Sequence, residues 1–450
     1  MSETIVNPYL QGNLAPVTTE QTFHDLEIIG RLPEALDGRY LRNGPNPAAE
    51  VDPATYHWFT GDGMVHGIRL SGGKARWYRN RWVRSPEVSD RLGEPRKPHP
   101  FPAERPASAA NTNVIGHAGR TFAIVEAGGL PVELTDELDT IGCNDFDGTL
   151  PWSFSAHPKL DPSSGELHVA AYSWTLGNTV QYVIVGTDGR VRKVCDIELP
   201  APGSPMMHDV SITETRAILY DLPCIFDLEA AMAGERLPYR WHPENGARLV
   251  IIDKEGLGAP TFVDIEPCYV FHPVNAFDLA DGRIVLDVVK HPKMFASDFH
   301  GPNEGMPVLE RWTVDPAKGT VQVQQRDDLP QEFPRVDERL VGRQHRFGYG
   351  VNIGRAWDHG NLVRHDYATD TTEVFSHGPG RGTMETVFIP REPGAAEDDG
   401  WLMSVVHDAN SNRGELVVLD ASAFGSEPVA RVLLPTRVPY GFHGNWVPTA

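Results

Sequence analysis

The chain has 450 residues, 40% of them hydrophobic, and a formal net charge of −21. So acidic a chain excludes nucleic acid as a partner, because phosphate recognition needs basic patches, and it limits contact with anionic lipid to a weak peripheral touch by a local apolar patch. The apolar runs fall short of the roughly 20 residues that cross a bilayer. The start, "MSETIVNPYLQGNLAPV", lacks the basic and apolar regions of a secretory leader.

In chain order, short β-type runs follow one another: "RTFAIVEAG", "ELHVAAYSW", "VQYVIVGTDGRV", "RAILYDLP", "RLVIIDKEG", "RIVLDVV", "WLMSVVHD" and "ELVVLDAS". Several end in the Gly- and Asp-containing pairs that close hairpins. Convincing amphipathic helices are few, "DLEAAMAGERL" being the best, and loops with short helices are expected to cap one face. The 43 glycines and 38 prolines are spread evenly, and no linker divides the chain. The expectation is an all-β chain, one domain over residues 1–450 with an N-terminal arm of about 20 residues. Seven four-stranded propeller blades of about 64 residues would use up the length, and a pair of β-sandwiches is the competing arrangement. Four scattered cysteines (Cys143, Cys195, Cys224 and Cys268) without a CxxC pair suit reduced thiols in a cytoplasmic protein. A monomer is expected.

Four of the 18 histidines share a local context: His157 in "FSAHPKLD", His208 in "PMMHDVSIT", His272 in "YVFHPVNAFD" and His443 in "YGFHGNWV". Each follows an apolar or small residue and precedes Pro, Gly or Asp, as at the inner edge of a blade. Their separations of 51, 64 and 171 residues are close to one, one and three blades. One inward imidazole per blade would converge on a common axis. Imidazole suits Fe, Zn, Cu or Ni, an all-nitrogen set with open positions suits Fe(II) that binds O2, and structural zinc more often includes thiolate. Other motifs are absent: no GxSxG elbow, HExxH helix or P-loop occurs. The "HPE" at His242–Glu244 reads as a proline-broken turn.

The motifs "YLRNGPNP", "FTGDGMVHGIRL", "NTNVI", "HPKLDPSSGELH", "MMHDVSITE", "FHPVNAFD", "EFPRVDERLVG" and "RVPYGFHGNW" together resemble the carotenoid cleavage oxygenase family, in its order, from about residue 20 to the C-terminus. That family includes apocarotenoid oxygenases and stilbene-cleaving relatives. The resemblance implies a seven-bladed propeller, Fe(II) held by His157, His208, His272 and His443, and carboxylates Glu126, Glu332 and Glu385 behind His208, His272 and His443, leaving His157 without one. A carboxylate accepting Nδ1–H fixes the tautomer and frees Nε2 for metal. By the same resemblance, Thr112 crowds the sixth metal position, and no acid, base or organic cofactor is needed.

The implied reaction is O2-dependent scission of a C=C bond into two carbonyl products. The stilbene-cleaving relatives carry a lysine before the first of these glutamates, where it engages a phenol oxygen; here that position is Val125. This favours an apolar polyene, a carotenoid or apocarotenoid, over a stilbene or phenylpropanoid. Phe59, Phe101, Phe271 and Phe347 are further candidates for the pocket wall. A metal-free propeller acting as a binding scaffold is disfavoured by the presence of all seven site residues.

Overall fold

The computed structural model describes residues 7–101, 109–354 and 358–449. Seven antiparallel sheets, each with four or more strands, form the blades of a propeller, and a two-stranded sheet is added on blade 4. Blades 2 to 6 each take four consecutive stretches of chain. Blade 5 is representative: Tyr269–Asp278, Ile284–His291, Val308–Asp315 and Thr320–Gln325. First strands of neighbouring blades lie against one another and so surround the axis.

Burial falls outward along each blade, and the sequence follows it. The first strand of blade 5, "YVFHPVNAFD", is buried at nine of its ten positions, whereas its fourth, "TVQVQQ", is almost wholly exposed. Inner strands covered on both faces read as continuous apolar runs, and outer strands can be polar. The sandwich alternative fails because no two sheets pack face to face as one pair; each packs against two neighbours.

The ring is closed at two places. In blade 1 the C-terminal strand Gly444–Pro448 pairs with Gly38–Pro45, followed outward by Gly63–Ser71, Lys74–Trp82 and Gln21–His24. In blade 7 the early strand Ile28–Gly30 is the outermost, paired with Ala430–Leu433. The expected N-terminal arm, whose first six residues lie outside the described ones, is packed down from residue 7. Tyr9 stacks on Trp58 at 5.5 Å between ring centroids, and the Asn7 amide donates to the Tyr56 carbonyl.

The predicted helix is present but short. Leu228–Met232 is capped by Asp227, whose carboxylate accepts from the Ala230 amide, and it stops before Gly234 at a positive φ of 91°. A second helix, Pro86–Leu92, has Ser85 as its N-cap and Gly93 as its left-handed C-cap. Among the described residues no helix is long and apolar enough to cross a membrane. The four cysteines are free thiols.

Candidate metal centre

The four singled-out histidines meet on the propeller axis, each from the start of a first strand. His157 precedes Lys159–Leu160 of blade 3, His208 precedes Val210–Ile212 of blade 4, His272 lies within Tyr269–Asp278 of blade 5, and His443 precedes Gly444–Pro448 of blade 1. Ligating nitrogens of His157, His208 and His272 all lie within 4.8 Å of one another, and the His443 ring stands 4.6 Å from His157 and 4.7 Å from His272.

Local chemistry turns each imidazole inward. Pro273 removes a ladder donor directly after His272, and the strand register shifts on both sides of it, a bulge that re-aims the preceding side chain. The stretch before His208 is pinned by the Met206 amide, which donates to the Cys224 carbonyl, and by the Tyr269 hydroxyl, which donates to the Met206 carbonyl. His443 is set by a crossing of two glycine-bearing motifs. A Cβ on Gly44 would stand 2.6 Å from the Gly441 Cα, so only glycines allow the backbones to touch. The Asn43 amide then donates to the His443 carbonyl, and the His443 amide to that of Thr112.

The remaining blades supply carboxylates. Glu126 follows Arg120–Ile124 of blade 2, Glu332 lies in Gln331–Arg335 of blade 6, and Glu385 sits between two short strands of blade 7. His208 Nδ1 lies 2.9 Å from both Glu126 oxygens, His272 Nδ1 2.6 Å from Glu332 and His443 Nδ1 2.9 Å from Glu385. His157 has no such partner: its nearest carboxylate, Asp209, is 3.9 Å away and is held at 2.9 Å by Lys159. With Nδ1 engaged on three rings, Nε2 is the atom left to face the axis. His157 Nε2 is buried with no hydrogen-bond partner among the described residues, and His208 and His272 Nε2 approach within 3.3 Å. Such a set of nearly buried nitrogens fits a transition metal that prefers imidazole.

Electrostatics favour neutral rings at His157 and His443. Burial, with neighbouring imidazoles, holds His157 well below the usual histidine value, and burial brings His443 down to about 4 against the opposing pull of Glu385. Burial also disfavours charge on His272, but the charge and hydrogen bond of Glu332 outweigh it and raise that ring. Glu332, in spite of its burial, is held well below the carboxylate range by His272 and His291. An unpaired carboxylate at 0% exposure would cost several kcal/mol, so these partners are a condition of the fold.

A cavity of about 370 Å³ opens onto His208, His272 and His443. Val125, Phe59 and Phe271 line it as expected, and Thr112 borders it beside His208 and His443, its hydroxyl donating to Asn111 at 2.9 Å. Two expected wall residues are elsewhere. Phe101 packs against the Phe122–Phe146–Phe154 cluster of blades 2 and 3. Phe347 is buried between blades 6 and 7 with Leu362 and Phe388, under the guanidinium of Arg346. Both are hydrophobic for packing between blades, which sequence cannot separate from packing against a ligand. His242 and Glu244 form an exposed contact in the 3₁₀ turn Pro243–Asn245, away from the axis.

Several site features escaped the sequence reading. Trp174 and Phe226 stack at 5.6 Å, and Tyr239 meets Phe226 edge-on at 5.7 Å, forming one wall of the cavity. Helix Pro86–Leu92 contributes Glu87 and Arg91 to another, with Arg91 paired to Asp62. His291, in the same His–Pro context as His157 and His272, binds the second oxygen of Glu332 at 2.7 Å. Arg335 lies 3.2 Å from Glu385, and the Tyr172 hydroxyl donates to Glu126 at 2.7 Å.

A family model described as retinal pigment epithelial membrane protein matches residues 14–448. The chain belongs to this family, that of the carotenoid oxygenases. A carotenoid cleavage oxygenase of Mycobacterium tuberculosis is 48% identical, covering 98% of this chain and 98% of its own. An isoeugenol monooxygenase of Pseudomonas nitroreducens is 30% identical with the same coverage of both chains. The crystal structure of a Pseudomonas brassicacearum lignostilbene dioxygenase superposes with a TM-score of 0.88 at 29% identity, over 98% of each chain. The chain shares the fold of these relatives, and its carotenoid cleavage relatives make it an oxygenase.

Proposed function

We propose that the chain is an Fe(II) dioxygenase that cleaves a C=C bond of a carotenoid or apocarotenoid with O2, giving two carbonyl products. The observation that carries this reading is the convergence of His157, His208, His272 and His443, three of them fixed through Nδ1 by Glu126, Glu332 and Glu385. These four would hold the iron through Nε2, and the bound iron would supply O2 binding and the electron chemistry. The protein's own part is placement. Phe59 packs against Phe271 at 5.8 Å and against Phe442 at 5.5 Å, and Phe271 meets the His208 ring at 4.9 Å, so an alkene is held in a water-poor space beside the histidines. Thr112 crowds one side of the site and narrows where O2 can sit.

Substrate class rests on Val125. It borders the cavity next to Glu126 and offers a phenol neither donor nor charge, while it packs well against a polyene. The 48% identical relative is named a carotenoid cleavage oxygenase, which supports the same choice. The second reading, a stilbene or phenylpropanoid alkene-cleaving enzyme, is favoured by the relatives named for lignostilbene and isoeugenol. We further take the chain to act as a single-domain cytoplasmic monomer. Exposed Trp174, Leu228 and Met232, on or beside the elements that line the cavity, would give it a weak peripheral contact with a lipid surface holding an apolar substrate.

Iron-loaded protein incubated separately with β-carotene, apocarotenals and resveratrol, with products identified by mass spectrometry, tests both readings. Aldehydes from an apocarotenal are expected. Cleavage of resveratrol alone would replace the first reading with the second, and activity that survives complete removal of iron would end both.

A further inference from the structure

The three carboxylates behind the histidines are held in different ways. Glu332 is fully buried, and its oxygens also accept from His291 at 2.7 Å and from the Phe333 amide at 2.7 Å. Glu385 accepts from the Gly444 amide at 2.8 Å and has the Arg335 guanidinium 3.2 Å away. Each is therefore locked by a backbone amide and a second side chain. Glu126 has neither a backbone amide nor a cation among the described residues. Its side chain is 16% exposed on the cavity wall, and both oxygens lie equally near His208 Nδ1.

What holds Glu126 besides the imidazole is a tyrosine. The Tyr172 hydroxyl donates to Oε2 at 2.7 Å from a ring that is 1% exposed. Burial, with the Glu126 charge beside it, pushes the Tyr172 phenol well above its usual value, so the group remains a donor throughout the working pH range. Tyr239, on the two-stranded sheet that walls the cavity, lies in the same buried cluster as Tyr172. All four groups, Tyr239, Tyr172, Glu126 and His208, border the cavity.

We infer that Tyr172 is a positioning residue for the metal centre: by fixing one oxygen of Glu126 it orients the His208 imidazole. This rests on the proposed metal role of the four histidines. Carboxylates that orient metal-bound imidazoles are themselves held by hydrogen bonds, and loss of such partners typically costs about 10–100-fold in metal affinity. With only one lock on Glu126, the His208 arm is the part of the centre most sensitive to that loss.

The test measures Fe(II) release to a colour-forming chelator from wild type, Tyr172→Phe, Tyr239→Phe, Glu126→Ala and the Tyr172→Phe/Glu126→Ala double variant. Tyr172→Phe keeps the ring and its packing. It is expected to release iron roughly 10-fold faster, with the thermal midpoint of the metal-free protein unchanged. Tyr239→Phe, in the same buried cluster as Tyr172, should move the rate in the same direction by less, and it gives a second reading if Tyr172→Phe does not fold. In the Glu126→Ala background the Tyr172 substitution should change release by less than about 2-fold, because the coupling runs through that carboxylate. An undiminished Tyr172 effect without Glu126 would show a merely structural role and overturn the inference, as would wild-type release from both tyrosine variants. Wild-type protein that retains no iron at all would instead overturn the proposed function, and the inference with it.

Discussion

At the scale of single residues, Glu332 carries the heaviest duty. It sits between two imidazoles with no exposure to water, its oxygens 2.6 Å from His272 Nδ1 and 2.7 Å from His291 Nε2. Glu332→Gln keeps the shape but replaces one acceptor with a donor, so one imidazole N–H is left facing an NH₂ group. Iron affinity, measured by competition with a chelator, is expected to fall about 10–100-fold. Proton linkage gives a second residue-scale prediction. His272 is raised by Glu332 in the metal-free chain, whereas His157 is lowered and His443 is brought down to about 4. Below the raised value His272 carries a proton that a metal has to displace. Metal affinity should therefore increase as pH rises through that value and level off above it, with close to one proton released per metal on the low-pH side. The same ring adds stability to the metal-free fold at pH values below its unfolded value of about 6.5, and this is lost as pH rises through the folded value. Calorimetry of metal binding in buffers of different ionisation enthalpy counts the proton, and its absence in Glu332→Gln would identify the pair responsible.

At the scale of elements, the strand Arg120–Ile124 delivers Val125 and Glu126 together to the cavity. Glu126 lies against the His208 ring and Val125 lines the cavity, so under the proposed function a substitution at 125 alters selectivity while leaving 126 in place. A buried phenol without a partner costs roughly 1–3 kcal/mol, and each buried CH₂ of a polyene contributes about 0.8 kcal/mol. Wild type is expected to have a higher kcat/KM on an apocarotenal than on a 4-hydroxystilbene, and Val125→Lys to narrow or reverse that ratio. Paired measurements on the two substrates check it; a wild-type preference for the stilbene would favour the second reading. The helix Pro86–Leu92 has a comparable double part: its capping is encoded by Ser85, Pro86 and Gly93, and its outward turn brings Glu87 and Arg91 to the cavity.

For the whole molecule, closure of the ring is what makes four distant histidines neighbours. The C-terminal strand Gly444–Pro448 follows His443 directly and pairs over five residues with Gly38–Pro45. Deleting residues 444–450 would leave the blade 1 inner edge unpaired and remove the amide that donates to Glu385. At a net 0.5–1.5 kcal/mol per hydrogen bond the loss is about 3–5 kcal/mol. In a chain of this size that amounts to a fall of about 3–5 °C in Tm, with weakened iron retention because His443 loses its anchor. A calorimetric scan of the truncated protein that matched wild type would show that the closing strand adds nothing to stability.

The β-strand character of the chain and the four histidines were legible because each is written locally, whereas the extra strands of blades 1 and 7 and the pair added on blade 4 were not. Period and turn chemistry mark a strand, and an imidazole between an apolar residue and Pro, Gly or Asp marks its inner end. His157, His208, His272 and His443, with Glu126, Glu332 and Glu385, could be named from these contexts and from the order of the eight motifs, and the axis brings all seven together. What surrounds them was not legible. Phe59 in "YHWFTGDG" and Phe347 in "RQHRFGYG" are both phenylalanines flanked by His and Gly, yet one faces the cavity and the other fills the gap between two blades. His291 shares the His–Pro context of His157 and His272 but takes a place behind Glu332, and Tyr172 lies at the end of an ordinary core strand. A blade's inner strand has apolar neighbours on every side, so hydrophobic pattern reports burial but not what does the burying. Only the angle at which each blade meets the axis decides whether a buried side chain touches another blade, a carboxylate or the substrate.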